Sequence, residues 1–300
     1  MTFFIEVTIS GLLAGIMYSL VALGFVMIFK ASGVFNFAQG AMVLFAALTF
    51  VRFLEMGMWV WAAFVVTLVA MIVLATAIEW IVLRPLVARP PIILFMATIG
   101  LSFFLEGFGQ GIWDNQVHGL DCESVLGIPD IPAGWLMEKG LMISQFDLLA
   151  AAVAAVSVVL LVLFFQKTRT GRALRAVSDD HEASLSVGIP LRWIWGITWA
   201  IAGLIALVAG ILWGTRLGVQ YSLSMVVLKA LPVIILGGFD SIPGAIIGGL
   251  IIGSAEKLGE VYLGDYVGGG IENFLPYLLA MVFLWFRPYG LFGREIIERV

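Results

Sequence analysis

The chain has 300 residues, of which 62% are hydrophobic and only 12% charged, with a mean hydropathy of +1.09 and a formal net charge of −4. A water-soluble chain of this length needs far more polar surface to cover its core, so the composition describes a polytopic membrane protein. The negative charge argues against a nucleic acid partner, and Cys122, the single cysteine, excludes an internal disulfide and a cysteine-based metal site.

The opening MTFFIEV has no positively charged leader region, so Ile9–Phe29 reads as a retained first span and not as a signal peptide. Next, Phe35-Asn36-Phe37-Ala38-Gln39-Gly40 sets an amide pair between two apolar runs. Backbone that leaves the helix inside lipid must be buried in protein or line a wet cavity. On one reading Asn36 and Gln39, with Tyr18 and Ser19 of the first span and the neighbouring Phe37 and Gly40, line a translocation path. On the other the amides only cap a helix start near the interface. Further spans are expected at Ala38–Leu54, Trp59–Leu83, Ile92–Trp113, Leu148–Phe165, Ile194–Trp213 and Ile271–Phe286. The apolar region Leu223–Val261 is interrupted by GGFDSIPG at 237–244, as one broken helix or two short spans. The expected fold is therefore all-α: a polytopic transmembrane helix bundle of eight or nine spans with broken or re-entrant segments, forming a single domain over 1–300. Lys229 lies within that interrupted region, where a lysine either snorkels to an interface or finds a partner. Glycines at 11 and 15, at 210, 214 and 218, at 244 and 248, and at 249 and 253 form small-xxx-small ladders, the spacing that lets helix backbones approach in lipid.

Basic residues set the orientation, because short cytoplasmic loops collect Lys and Arg. The stretch 167–192 holds Lys167, Arg169, Arg172, Arg175 and Arg192; the connection near 84–90 holds Arg84 and Arg89, and the tail Arg287, Arg294 and Arg299. The loop 114–147 carries Asp114, Asp121, Glu123, Asp130, Glu138 and Asp147 against Lys139 alone. That loop is expected outside and the other three inside, which puts the N-terminus outside and requires two crossings within 223–261.

The segment Thr168–Pro190 is a polar insert in this apolar chain. Wound as one helix of about 16 residues, it places Leu174, Val177, Ser178, His181 and Leu185 on one stripe. Thr170 is a candidate N-cap, Gly188 with Pro190 a stop, and Arg172, Arg175, Asp179 and Glu182 stand at ion-pair spacings. The thin stripe suits docking into a protein groove better than burial in lipid headgroups. The run Asp179-Asp180-His181-Glu182 reads as a solvated acidic turn, because on a helix its members point in different directions. Neither a phosphate-binding GxxxxGK[ST] loop nor an HExxH motif occurs, and no catalytic constellation is visible.

TRTGRALRAVSDD…GI resembles the coupling segment of the branched-chain amino-acid (Liv-type) permease family of bacterial ABC importers. Three further blocks are similar to the same family: GIMYSLVALGFVMIFKASGVFNFAQG at 15–40, LKALPVIILGGFDSIPGAIIGG at 228–249, and FRPYGLFG at 286–293. The chain departs from it after the acidic turn, where His181-Glu182-Ala183-Ser184-Leu185-Ser186 replaces an alanine-rich stretch. The resemblance implies a multi-pass permease of the bacterial inner membrane, not itself an enzyme, for branched-chain or hydrophobic amino acids. It implies a second homologous permease subunit, two cytoplasmic ATPase subunits that hold the ATP and magnesium, an external substrate-binding protein and surrounding membrane lipid. This chain itself would carry no cofactor. ATPase coupling would fall to Thr170, Gly171, Arg172, Leu174, Arg175, Asp179, Asp180 and Gly188, with Gly237, Gly238, Asp240 and Ser241 as a second contact. A permease for urea or short amides, an ATP-independent transporter or channel, and a scaffold subunit are the rival readings.

Overall fold

The computed structural model describes residues 2–293 apart from 34, 87–88, 115, 121–122, 124–126, 128–130 and 180. Asp121, Cys122, Asp130, Asp180, Arg294 and Arg299 therefore lie outside the described residues. The rest is helical: α1 Thr2–Ser32, α2 Gln39–Glu55, α3 Val60–Ala77, α4 Pro91–Trp113, the single turn α5 Gly134–Met137, α6 Gln145–Lys167, α7 Arg169–Asp179, α8 His181–Ser186, α9 Leu191–Leu217, α10 Ser222–Val226, α11 Ala230–Gly237, α12 Ile242–Val267 and α13 Leu275–Phe286. Helix α3 continues through a π-helical turn, Ile78–Leu83, into a 3-10 turn ending at Leu86.

Six helical segments are long and apolar enough to cross a bilayer: Thr2–Ser32, Val60–Leu86, Ile92–Trp113, Gln145–Lys167, Leu191–Leu217 and Ile242–Tyr266. The protein is thus a multi-pass membrane protein, with six full-length spans where eight or nine were expected. The difference lies in three short apolar elements. The 17-residue α2, the arm Ser222–Gly237 and the 12-residue α13 are apolar but shorter than these six. The region 223–261 is two segments parted at 238–241, with Gly238 in a left-handed conformation (φ +106°) that ends α11.

Contacts divide the chain into two units, residues 1–26, 122–158 and 229–300, and residues 27–121 and 159–228. In the second unit α2 is buried on all sides from Gln39 to Val51, as expected of a helix that is apolar all round. Helix α9 packs on it and on α3: a Cβ at Gly210 would stand 2.7 Å from the Val43 carbonyl oxygen, and one at Gly203 2.9 Å from that of Met71. Gly218, expected in the same ladder, instead ends α9 with φ +76°. The ends of α2, α4 and α9 gather in register. Glu55, Asp114, His118 and Val219 meet at one end, while Ala31, Phe35, Thr98 and Trp195 meet at the other.

In the first unit two of the glycine ladders read from the sequence interlock with each other. Gly11 lies against Gly253 and Ser254, and Gly15 against Gly249 and Leu250, so α1 and α12 run antiparallel with their backbones in contact. A Cβ at Gly11 would sit 2.7 Å from the Ser254 Cα, and one at Gly253 2.5 Å from the Gly15 Cα. Ser19 extends the ladder by one turn and donates to the carbonyls of Gly15 (2.8 Å) and Ile246 (3.1 Å). No hydrophobic force joins helices in lipid, so such close van der Waals contact and its weak hydrogen bonds hold the pair. Gly253→Leu should force the helices apart at a cost of about 1–3 kcal/mol or more. The expected outcome is loss of the monodisperse protein on size-exclusion chromatography in detergent. Gly100→Leu, at a position with open space around it, should elute as wild type.

Candidate translocation and coupling sites

The loop between α1 and α2 is held by its own polar atoms. Asn36 Oδ1 accepts from the Ala38 amide (3.1 Å), Asn36 Nδ2 donates to Gln39 Oε1 (3.3 Å), and Gln39 Nε2 donates to the Ala202 carbonyl of α9 (3.3 Å). Both side chains are fully buried. Around them Thr98 donates to the Phe35 carbonyl, Trp195 Nε1 to that of Ala31, and Phe37 packs edge-on between Phe35 and Phe95. Gly40 brings α2 against the Ser224 carbonyl. In this conformation the amides satisfy the break in the helix from inside the unit; they do not face solvent.

Tyr18, Ser19 and Lys229 belong to the other unit. Lys229 does not depend on snorkelling. Its Nζ donates to Glu256 Oε1 at 3.0 Å, and the Tyr18 hydroxyl donates to the same oxygen at 3.1 Å. Glu256 is almost completely buried, and its second oxygen, Oε2, has no hydrogen-bond partner among the described residues. Sequence reasoning missed Glu256 because it stands in a polar patch, Glu256-Lys257…Glu260, that resembles the frayed end of a span. The available signal was the lysine, which needs a counter-charge in hydrocarbon. Removing one partner of a buried pair typically costs about 3–5 kcal/mol, whereas an apolar replacement of both is close to neutral. Lys229→Met or Glu256→Leu alone should therefore lower the thermal unfolding temperature of the purified protein strongly, and the double variant should recover most of the loss.

The polar insert is helical over Arg169–Asp179 (α7) and His181–Ser186 (α8), on either side of position 180, and the cap is Thr168, whose Oγ1 accepts from the Gly171 amide at 2.9 Å; Thr170, the expected cap, is already inside the first turn. Gly171, Leu174 and Val177 are buried against the chain itself, so the apolar stripe of α7 is consumed internally. Arg175 donates to the Phe165 carbonyl at 2.9 Å and ties α7 to the end of α6. Arg169, Arg172 and Asp179 are exposed along the outer face. Gly188 (φ +85°) closes α8, leaving Leu185 and Val187 55% and 81% exposed beside it. The surface offered to a partner is thus a polar α7 face and an apolar tip.

At the other candidate contact, Ser241 Oγ accepts from the Gly244 amide (3.0 Å) and caps α12. The Leu291 and Phe292 amides donate to the carbonyls of Leu236 and Gly237, the free end of α11, and Gly290 lies against Gly238. Asp240 is half-buried in this turn. Two blocks far apart in sequence, GGFDSIPG and FRPYGLFG, therefore build one structure.

At the opposite end of the second unit from Ala31 and Trp195, Arg52 pairs with Glu55 (2.8 Å) and Asp114 (2.6 Å), and His118 bridges the same two carboxylates. The Asp114 carboxyl lies below the usual carboxylate range, chiefly through the Gln116 amide that it accepts, aided by His118 and Arg52. Among the described residues no cluster of His, Cys, Asp and Glu has the arrangement of a metal site.

Residues 7–285 match the family described as branched-chain amino acid transport system / permease component. The high-affinity branched-chain amino acid transport system permease protein BraD of Pseudomonas aeruginosa is 29% identical, with 99% of this chain and 98% of that protein covered. The corresponding protein LivH of Escherichia coli K12 is 28% identical, with 99% of this chain and 98% of LivH covered. Among solved structures, PsaBC from Streptococcus pneumoniae in complex with Fab has a similar fold, with a TM-score of 0.51 and 14% identity, covering 92% of this chain and 89% of that one.

Proposed function

The chain belongs to the family of branched-chain amino acid transport permease components, and from that premise we propose how it works as the permease subunit of an ATP-driven importer. It pairs with a second, homologous permease in the inner membrane of a bacterium. Two ATPase subunits, which carry the ATP and magnesium, bind its cytoplasmic face, and an external binding protein delivers a hydrophobic amino acid.

One observation supports the coupling role: α7 is packed and hydrogen-bonded onto the end of α6 and keeps an outward polar face. Gly171 sits against the carbonyls of Phe164 and Phe165, Arg175 holds the same turn, and Leu174 and Val177 are buried. A push on α7 therefore cannot be absorbed locally and passes to the end of α6. The ATPase would contact Arg169, Arg172, Asp179 and the tip at Leu185 and Val187, while Thr170, Gly171, Leu174, Arg175 and Gly188 hold that surface in shape. Asp180, outside the described residues, is proposed for the same contact by its place in the sequence. The turn Gly237, Gly238, Asp240 and Ser241, braced by residues 290–292, supplies the second contact.

The translocation path would be lined by Tyr18, Ser19, Asn36, Phe37, Gln39, Gly40 and Lys229 once the subunits rearrange. The helix break at 33–38 then exchanges its internal hydrogen bonds for bonds to the ammonium and carboxylate of the substrate, in the manner of broken helices in other transporters.

Because Arg175 is structural, the test uses the exposed positions. Arg172→Glu combined with Leu185→Asp should leave the permease inserted and folded but abolish ATP-driven leucine uptake in proteoliposomes and co-purification of the ATPases. Uptake at the wild-type rate by that variant would remove α7 and α8 as the coupler.

A further inference from the structure

The second unit contains a groove of about 530 Å³ between α3 and α9, lined by Thr76, Glu79, Trp80, Arg84, Arg192, Trp193, Gly196, Ile197 and Ala200. Its shape follows from the packing of those helices. They touch backbone to backbone at Gly203 and Met71, and the groove opens one to two turns further on, where the π-helical turn Ile78–Leu83 replaces regular α3. An inserted turn of this kind re-aims the side chains that follow it.

The chemistry of the groove is zoned. Gly196, Ala200 and Thr76 make a smooth, narrow floor. Trp80 and Trp193 stand on the sides, 63% and 55% exposed. At the rim, Arg84 is engaged by the buried carboxylate of Glu79 through two bonds, 3.1 Å to Oε1 and 2.7 Å to Oε2. Arg192 is exposed and makes no ion pair among the described residues. Glu79 offsets one of the two arginines, and one positive charge remains beside an apolar slot flanked by indoles.

We propose that this groove is a binding site for an anionic glycerophospholipid. Its phosphate engages the Arg192 guanidinium, with the outward N–H groups of Arg84 as the second donor. The indole N–H groups face the glycerol esters, and one acyl chain lies along Gly196 and Ala200. Three observations converge on this ligand. Tryptophans concentrate where hydrocarbon meets headgroups, and basic pockets between membrane helices select acidic headgroups. The groove also opens at the end of α3 and α9 that carries Arg84, Arg89 and Arg192, the end the distribution of basic residues assigns to the anionic cytoplasmic leaflet. A soluble anion would have no use for the apolar floor, and a zwitterionic lipid would bring its own cation against Arg192.

The test is native mass spectrometry of the full chain released from detergent micelles, with phosphatidylglycerol and phosphatidylethanolamine added in equal amounts and without ATP. The wild type should retain phosphatidylglycerol at least about fivefold better, the discrimination expected of one basic residue at an acidic surface. Arg192→Gln should abolish that preference, and Trp193→Ala should lower retention of both lipids. Arg84→Gln alone strands the buried Glu79 carboxylate, so the Arg84→Gln/Glu79→Gln pair is the informative variant; it should keep the preference, only weakened. Equal retention of the two lipids by the wild type would overturn the proposal, as would an unchanged preference in Arg192→Gln. Displacement of the lipid by millimolar inorganic phosphate would overturn it too, by making this a soluble-anion site. Each readout is independent of transport, so failure here would leave the importer reading intact.

Discussion

Contact between helix backbones is the constraint on which the other features of this protein rest. Hydrocarbon gives no hydrophobic drive for helices to associate, so cohesion comes from close packing and from hydrogen bonds that lipid cannot replace. The interlocked glycines of α1 and α12 supply the first. The Ser19 bonds to two main-chain carbonyls supply the second in the same place. Gly203 and Gly210 of α9, against Met71 of α3 and Val43 of α2, repeat the device in the other unit, leaving α9 little freedom to slide. Where helices touch this closely, side chains are excluded from the seam. The polar residues are therefore confined to a few defined sites.

Those sites share one logic. The polar groups described above each have a particular partner: Asn36 with Gln39, Gln39 with the Ala202 carbonyl, Lys229 and Tyr18 with Glu256, Arg84 with Glu79. Isolated charges at mid-bilayer cost about 2.5–3.5 kcal/mol on insertion scales, so unpaired versions of these residues would oppose the fold. The exception is the second oxygen of Glu256, a buried acceptor without a donor. It is the one position in this network where polar capacity exceeds demand.

Much of the fold was legible because its signals are local. Six long apolar runs, the Gly188 stop and the small-xxx-small spacings are each contained within one stretch of chain. The pairings were not legible, because they join residues far apart. Nothing in the ladder at Gly11 and Gly15 says that its complement is Gly249 and Gly253, more than 230 positions on. Lys229 announced a need for a partner without saying which acid met it. Thr168 and Thr170 are equivalent candidates for a helix cap by residue type. Only the geometry of the kink after α6 decides between them. The apolar stripe of α7 was correctly periodic and pointed the wrong way. Periodicity gives the existence of an apolar face, and the inward end of α6 and α9 takes that face before any partner can.

The turn at 238–241 has a consequence for the order in which the chain matures. The carbonyls of Leu236 and Gly237 are satisfied by amides of residues 291 and 292, and Gly238 is covered by Gly290 and Gly293. Synthesis runs in one direction, so the ribosome must deliver α12 and α13 into the bilayer before that clasp can close. For the time it takes to translate about 50 residues, that helix end stands open. Chaperones and proteases that survey the nascent chain would meet an unfinished terminus there until residues 290–293 arrive to close it.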